Sequence, residues 1–179
     1  MAKANDTNPM KSVKIEKLTL NIGAGKDQKK LEKAVRLIKN IVGVDPVKTV
    51  TQKRIPTWGL RPGLPIGCKI TLRGDKAEEV FLKLVKAKDS ILSLKQIDDF
   101  GNVAFGIHEY IDIPGVNYDP EIGIMGLQVC LTLERNGHRI KRRRHLKRRL
   151  PMRQNISKEE SAAFLKQSFS IRIKEEQAE

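Results

Sequence analysis

Aromatic side chains are scarce in this sequence, at 4% of 179 residues. A core made from it has to lean on Leu, Ile and Val. Cysteine is scarcer still: Cys68 and Cys130 each lie inside a strand-like run. Two thiols in a chain of this size make no disulfide framework, and both are expected to be buried as small hydrophobes. Neither belongs to a C-x-x-C, and His108, His138 and His145 show no ligand spacing with them, so no structural metal is expected. No apolar run approaches the roughly 18–20 residues that span a bilayer. Met1 to Ser12 is polar and has no signal-peptide hydrophobic stretch. The expectation is a cytoplasmic protein with no membrane partner. The patterns G-x-x-x-x-G-K, G-x-S-x-G and H-E-x-x-H are all missing. The adjacent carboxylates Asp98-Asp99 and Glu159-Glu160 point apart on a strand and face solvent on a helix. No catalytic constellation forms, so the chain reads as a non-enzyme without a cofactor.

What the chain does have is positive charge. The formal net charge is +14, with 31% charged and 39% hydrophobic residues, a globular composition. An excess of that size repels itself on folding and points to a polyanionic partner, either nucleic acid or an anionic surface. The length fits one domain.

The apolar pattern supplies the elements. Val13–Ile22 reads as a strand, with Leu18, Leu20 and Ile22 on one side and Lys17, Thr19 and Asn21 on the other. After Gly23-Ala24-Gly25, Asp27 is placed to cap a helix carrying Leu31, Ala34, Val35, Ile38, Ile41 and Val42, which Gly43 ends. A short strand near Val47–Thr51 leads into a loop that Pro56, Pro62 and Pro65 keep irregular. Ile66, Cys68, Ile70 and Leu72 alternate with Gly67, Lys69, Thr71 and Arg73 as a second half-polar strand. Asp75 and Glu78 form a capping-box pattern ahead of a helix with Ala77, Val80, Phe81, Leu84 and Val85 on one side. Val103–Ile107 and Leu127–Leu133 alternate again, separated by turns at Pro114-Gly115 and Asp119-Pro120. Ser157 and Glu160 make another capping box, opening a helix to about Gln167, and Phe169, Ile171 and Ile173 suggest a last short strand. The expected fold class is α+β, a mainly antiparallel sheet of about five strands. Helices should cover one face and leave the other polar. The organisation is a flexible N-terminus over 1–12, one domain over 13–173 and a tail over 174–179.

Three features carry the candidate chemistry. Residues 135–153 hold ten basic side chains and no acid, a density that calls for a counter-charge. Arg139, Lys141, Arg142, Arg143, Arg144, Lys147, Arg148 and Arg149 are candidate phosphate contacts, since arginine matches phosphate bidentately; a solvated tail or targeting signal is the bland alternative. The polar strand faces add Lys17, Thr19, Asn21, Lys69, Thr71 and Arg73, which can hydrogen-bond phosphate, ribose and base edges. Without aromatic pairs on that face, recognition by shape and backbone is the safer expectation. In the Thr51–Gly67 loop, Trp58 sits among Lys53, Arg54 and Arg61, either anchoring the loop or displayed to a partner. Gly23-Ala-Gly25 lacks the third glycine of a dinucleotide turn, because Gln28 stands there.

LTLNIGAG, PIGCKITLRG and YDPEIGIMGL resemble the universal 5S-rRNA-binding protein family of the large ribosomal subunit (large-subunit protein five), over about Val13 to Phe169. The basic insertion and the SKEE ending resemble the archaeal branch. The resemblance implies helices on the concave side of the sheet and a convex face that binds 5S rRNA and helps seat it in the central protuberance. It further implies a loop between the second and third strands near peptidyl-site tRNA. A contact to a small-subunit head protein in an intersubunit bridge is implied as well, among neighbouring central-protuberance proteins and large-subunit rRNA. Asn21 and Thr71 match the family's 5S-facing sheet positions, flanked by Lys69 and Arg73. Arg54, Trp58 and Arg61 fall in the tRNA-facing loop, where Pro62 stands in place of a glutamine frequent in bacterial members. The Arg139–Arg149 run is denser than the family pattern, so no rRNA partner is assigned to it. The alternative is a general nucleic-acid-binding or DNA-compacting protein, although no helix-turn-helix or dimeric basic region is visible.

Overall fold

The computed structural model describes residues 8–174. In chain order the elements are β1 Val13–Gly23, α1 Gln28–Val42, β2 Val47–Val50, β3 Pro65–Leu72, α2 Asp75–Lys86, β4 Ile91–Ser93, β5 Val103–Ile107, β6 Leu127–Arg135, α3 Arg139–Arg142, α4 Lys158–Phe169 and β7 Arg172–Lys174. Five strands form one sheet in the order β2-β3-β1-β6-β5, and every pairing in it is antiparallel. This is the α+β architecture expected from the alternation.

One face of the sheet is sealed. Leu18, Leu20 and Ile22 of β1, Cys68, Ile70 and Leu72 of β3, Val103, Phe105 and Ile107 of β5, and Leu127, Val129, Leu131 and Leu133 of β6 all join the core. They meet Leu31, Ala34, Leu37, Ile38 and Ile41 of α1 and Ala77, Val80, Phe81, Leu84 and Val85 of α2. The few aromatics mark the junction with the C-terminal helix: Phe81 packs edge-on against Phe169 at 5.1 Å between ring centres and lies 6.4 Å from Phe105. There Ser161 Oγ, fully buried, donates to the Gly101 carbonyl at 2.9 Å.

Helix ends follow local chemistry. Asp27 accepts from the N–H groups of Lys29 and Lys30 at 2.9 and 3.3 Å, and Gly43 at φ 77° closes α1 in the left-handed region. Ser157 and Glu160 complete a capping box on α4, which runs two residues beyond the expected end to Phe169. The box expected at Asp75 does not form. Gly74 occupies the cap position, so Asp75 falls one place inside the helix and only adds negative charge to its first turn.

Four further departures have physical reasons. Pro65 opens β3 instead of preceding it, at a register irregularity opposite Val50 where no ladder N–H is required. The ending Arg172–Lys174 is a strand, but it pairs in parallel with the short β4 outside the main sheet. Tyr110, in a segment read only as turns, is fully buried, its hydroxyl accepting from the Asp119 N–H at 2.9 Å. Of the expected N-terminal arm, residues 1–7 lie outside the described residues. Residues 8–12 form a capped 3-10 turn that Asn136 Nδ2 holds through the Pro9 carbonyl at 2.8 Å and Ser12 Oγ at 2.7 Å. Of the expected tail, 175–179 also lie outside the described residues.

Candidate nucleic-acid interface

The sheet's second face carries no helix layer among the described residues, and its register sets out the candidate side chains in rows. Val47, Lys69, Asn21, Gln128 and Gly106 are successive partners across all five strands. Thr71, Thr19, Cys130 and Ala104 form the next row, and Lys17 faces Thr132 in the third. Adjacent strands lie about 4.8 Å apart, so the first row spans roughly 19 Å. Thr71, Lys69, Gln128 and Cys130 are exposed, and Thr19, Asn21 and Lys17 are half-buried.

The middle of this surface is nearly uncharged: hydroxyls, two amides, a thiol, an alanine and a glycine. Asn21 Nδ2 donates to Gln128 Oε1 at 3.1 Å across the strands. That bond orients both amides and leaves Asn21 Oδ1 to accept and the Gln128 amide nitrogen to donate outward. Cations flank these groups: Lys69 within the first row between Val47 and Asn21, Arg73 just beyond β3, and Lys17 toward the far end. Small groups in the centre allow close approach of a ligand backbone, and the flanking cations attract phosphate.

Gln128, Cys130 and Thr132 were not among the expected contacts. The alternation of β6 already placed them opposite Val129 and Leu131; what the sequence concealed was that β6 lies beside β1. Cys130 also corrects the expectation of two buried thiols, because only Cys68 is buried. Cys68 faces the core, and burial pushes its pKa up to about 11. Cys130 occupies the opposite pleat, on the open face.

The basic segment continues this face. Arg139 and Lys141–Arg149 are all exposed. Arg142 differs from its neighbours: its guanidinium forks onto the carboxylates of Glu16 and Glu134. Arg135, at the base of the segment, points to the other side of the sheet and reaches Glu160 of α4 at 2.5 Å. Partial burial works against ionisation of Glu160. The Ser157 N–H, the Arg135 guanidinium and the charge of Lys11 outweigh it and hold the carboxyl below its usual value.

The β2–β3 loop has internal order. Ile55 and Leu60 exchange backbone hydrogen bonds at 3.1 and 3.0 Å around a 3-10 turn at Pro56–Trp58, and Thr51 ties the base to Leu64. Leu60 is the residue that anchors it, buried to 5% exposure, whereas Trp58 is 68% exposed. Trp58 is therefore displayed, beside exposed Lys53, Arg54 and Arg61. This loop and the open face's Asn21–Lys69 row share one end of the sheet, and the basic segment leaves from the other.

Among the described residues no group of three or more His, Cys, Asp or Glu side chains could hold a metal, and no helix is long and apolar enough to cross a membrane. A cleft of about 540 Å³ lies off this face, between residues 8–13 and α4.

Comparison with known families agrees with the surface. Residues 8–61 match the family described as "Ribosomal protein L5", and residues 65–172 match the C-terminal part of the same ribosomal family. The chain belongs to the ribosomal protein L5 family. Both matched parts contribute strands to the one sheet, β1 and β2 from the first and β3, β5 and β6 from the second. Proteins named "Large ribosomal subunit protein uL5" are similar over nearly the whole chain. That of Sulfurisphaera tokodaii is 46% identical, covering 98% of this chain and 99% of its own length. Those of Methanosphaera stadtmanae and Nanoarchaeum equitans are 43% and 44% identical over 93% of this chain, covering 99% and 98% of their own lengths. The kinship is with archaeal members, as the basic insertion suggested. As an L5-family member the chain is a structural, non-enzymatic protein of the large ribosomal subunit. It acts with rRNA in translation, in the cytoplasm.

Proposed function

We propose that this L5-family chain, acting as one unit over residues 13–173, binds 5S rRNA on the open face of its sheet and helps seat it in the central protuberance. Asn21, Thr71 and Thr19 make the polar contacts in the middle, with the flanking Lys17, Lys69 and Arg73 taking phosphates. The basic segment, Arg139 to Arg149 apart from Arg142, adds backbone contacts to 5S or large-subunit rRNA. Lys53, Arg54, Trp58 and Arg61 present the β2–β3 loop toward peptidyl-site tRNA, and another surface meets a small-subunit head protein at an intersubunit bridge. The single observation that carries the reading is the one-sided sheet: helices insulate the inner face while Asn21 and Thr71 stay open.

The test is a binding comparison between 5S rRNA and an unrelated structured RNA over a salt titration, with duplex DNA as competitor. Preference for 5S rRNA that survives moderate salt is the expected result. Equal affinity for all three would return the chain to the general nucleic-acid-binding class.

A further inference from the structure

Acidic residues are out of place on a surface meant for phosphate, yet this sheet keeps two. Of all the residues in its five strands, only Glu16 and Glu134 are acidic. Both are turned to the open side. Glu134 alternates with Leu133, which is in the core, and Glu16 reaches that side through a β-bulge. The register shifts between Ile15 and Lys17, so Ile15 faces Leu133, Lys17 faces Thr132, and Glu16 is the extra residue. Bulges re-aim a side chain that the plain pleat would point elsewhere. The two carboxylates are only 16% and 13% exposed, and both close on Arg142.

The partner element could not stand alone. α3 is four residues long, rich in arginine and capped by no side chain. A helix that short has no stability of its own in water, and its like charges push it open. Even so, Arg143 N–H donates to the Arg139 carbonyl at 2.9 Å and Arg148 N–H returns to the Ile140 carbonyl at 3.3 Å. The Arg143 side chain donates to the Leu146 carbonyl from Nε at 3.0 Å and Nη2 at 2.9 Å. The only carboxylates paired with this stretch, among the described residues, are Glu16 and Glu134.

We infer that Glu16, Glu134 and Arg142 form an internal clamp that docks the basic segment against the end of the open face before any RNA arrives. Arg142 is then a positioning residue and no phosphate ligand. The clamp keeps the exposed cations of 139–149 in one surface with Lys17 and Thr132. RNA binding therefore does not have to order the segment at the moment of contact. The inference rests on the proposed RNA-binding face for its purpose, but its geometry can be tested without RNA.

The experiment compares the full chain with a Glu16→Gln/Glu134→Gln variant. Amide exchange of Lys141, Arg143 and Arg148 is read first in the free proteins. Exchange at these positions should rise at least tenfold while the amides of β1 and β3 stay protected; unchanged exchange overturns the clamp. Binding is read second. Affinity for 5S rRNA should fall several-fold with a salt slope no flatter than that of the wild type, since no cation is lost and Arg142 is freed, while affinity for an unrelated RNA holds or rises. A loosened segment with undiminished 5S affinity overturns the positioning role. Failure of the wild-type chain to prefer 5S rRNA would instead defeat the functional reading and leave the exchange result standing. Arg142→Lys alters neither strand and cannot fork onto two carboxylates; it should reproduce the exchange result if the double variant folds poorly.

Discussion

At the scale of single residues, the decisive contrast on the open face is between side chains with work inside the protein and those without. Thr71 is exposed and its side chain makes no hydrogen bond among the described residues, so Thr71→Ala should leave the melting temperature nearly unchanged. Loss of one contact to a charged partner should weaken 5S rRNA binding by about 1.5–3 kcal/mol. Unfolding of the variant, or unchanged affinity, would remove Thr71 from the interface. Asn21 also holds Gln128, so Asn21→Ala should cost a little stability as well as affinity. The two thiols give an independent probe of the same surface. A maleimide should label Cys130 and spare Cys68, which is buried and stays protonated well into alkaline solution. Bound 5S rRNA should slow that labelling, and labelling that proceeds unhindered would mean the RNA lies elsewhere. Cys68 carries its own pH signature. Its folded pKa, about 11, exceeds the 9.0 of a free thiol, so its contribution to stability is intact below pH 9.0 and is lost as pH rises toward 11.

At the scale of elements, periodicity made the five strands of the main sheet and most of the first two helix faces readable, although it missed the buried Leu37 of α1, and it failed where neighbours decide. The inward set of α2, from Ala77 to Val85, follows from spacing alone. The bulge at Glu16 does not, because nothing in VKIEKLTLNI marks which residue is extra; only the pairing with β6 shows it. The pairing of Ile91–Ser93 with Arg172–Lys174 joins segments some eighty residues apart, beyond the reach of any local pattern. Nor could the sequence say that Arg142 finds Glu16 across 126 positions and so differs from Arg143 and Arg144. The capping boxes show both outcomes. The Ser157 box forms, whereas a glycine at positive φ takes the cap position and displaces the one at Asp75. At α4 the consequence is measurable. Ser157→Ala should cost about 1 kcal/mol, the usual value of a lost cap. Glu160→Ala should cost more, since it also strips Arg135 of its carboxylate where Arg135 Nε is already buried without a partner. Urea unfolding of the two variants would decide the order, and equal costs would mean that Arg135 gains nothing from the pair. Because the folded pKa of Glu160 is lowered, this contribution is present above 4.5 and fades as pH falls through the folded value.

At the scale of the whole molecule, the net charge of +14 has to be apportioned before it explains binding. Of the ten cations between 135 and 153, Arg135 and Arg142 are held by carboxylates among the described residues, and the other eight form no such pair there and face an external polyanion. Each phosphate neutralised by one of them releases counterions and steepens the salt dependence by about 0.7–0.9 in log K per log salt. Replacing Arg144, Lys147 and Arg148 with serine should therefore flatten the slope by about 2–3 if all three reach phosphate. Affinity should fall for 5S rRNA and for an unrelated RNA alike, because phosphates are common to both. Thr71→Ala makes the opposite pattern, with weaker 5S binding at an unaltered slope. The two effects dissociate only if the face and the segment do different jobs, the face discriminating and the segment attracting. A triple variant whose salt slope equals that of the wild type would place those cations in solvent within the complex, and the excess charge of this chain would need another partner.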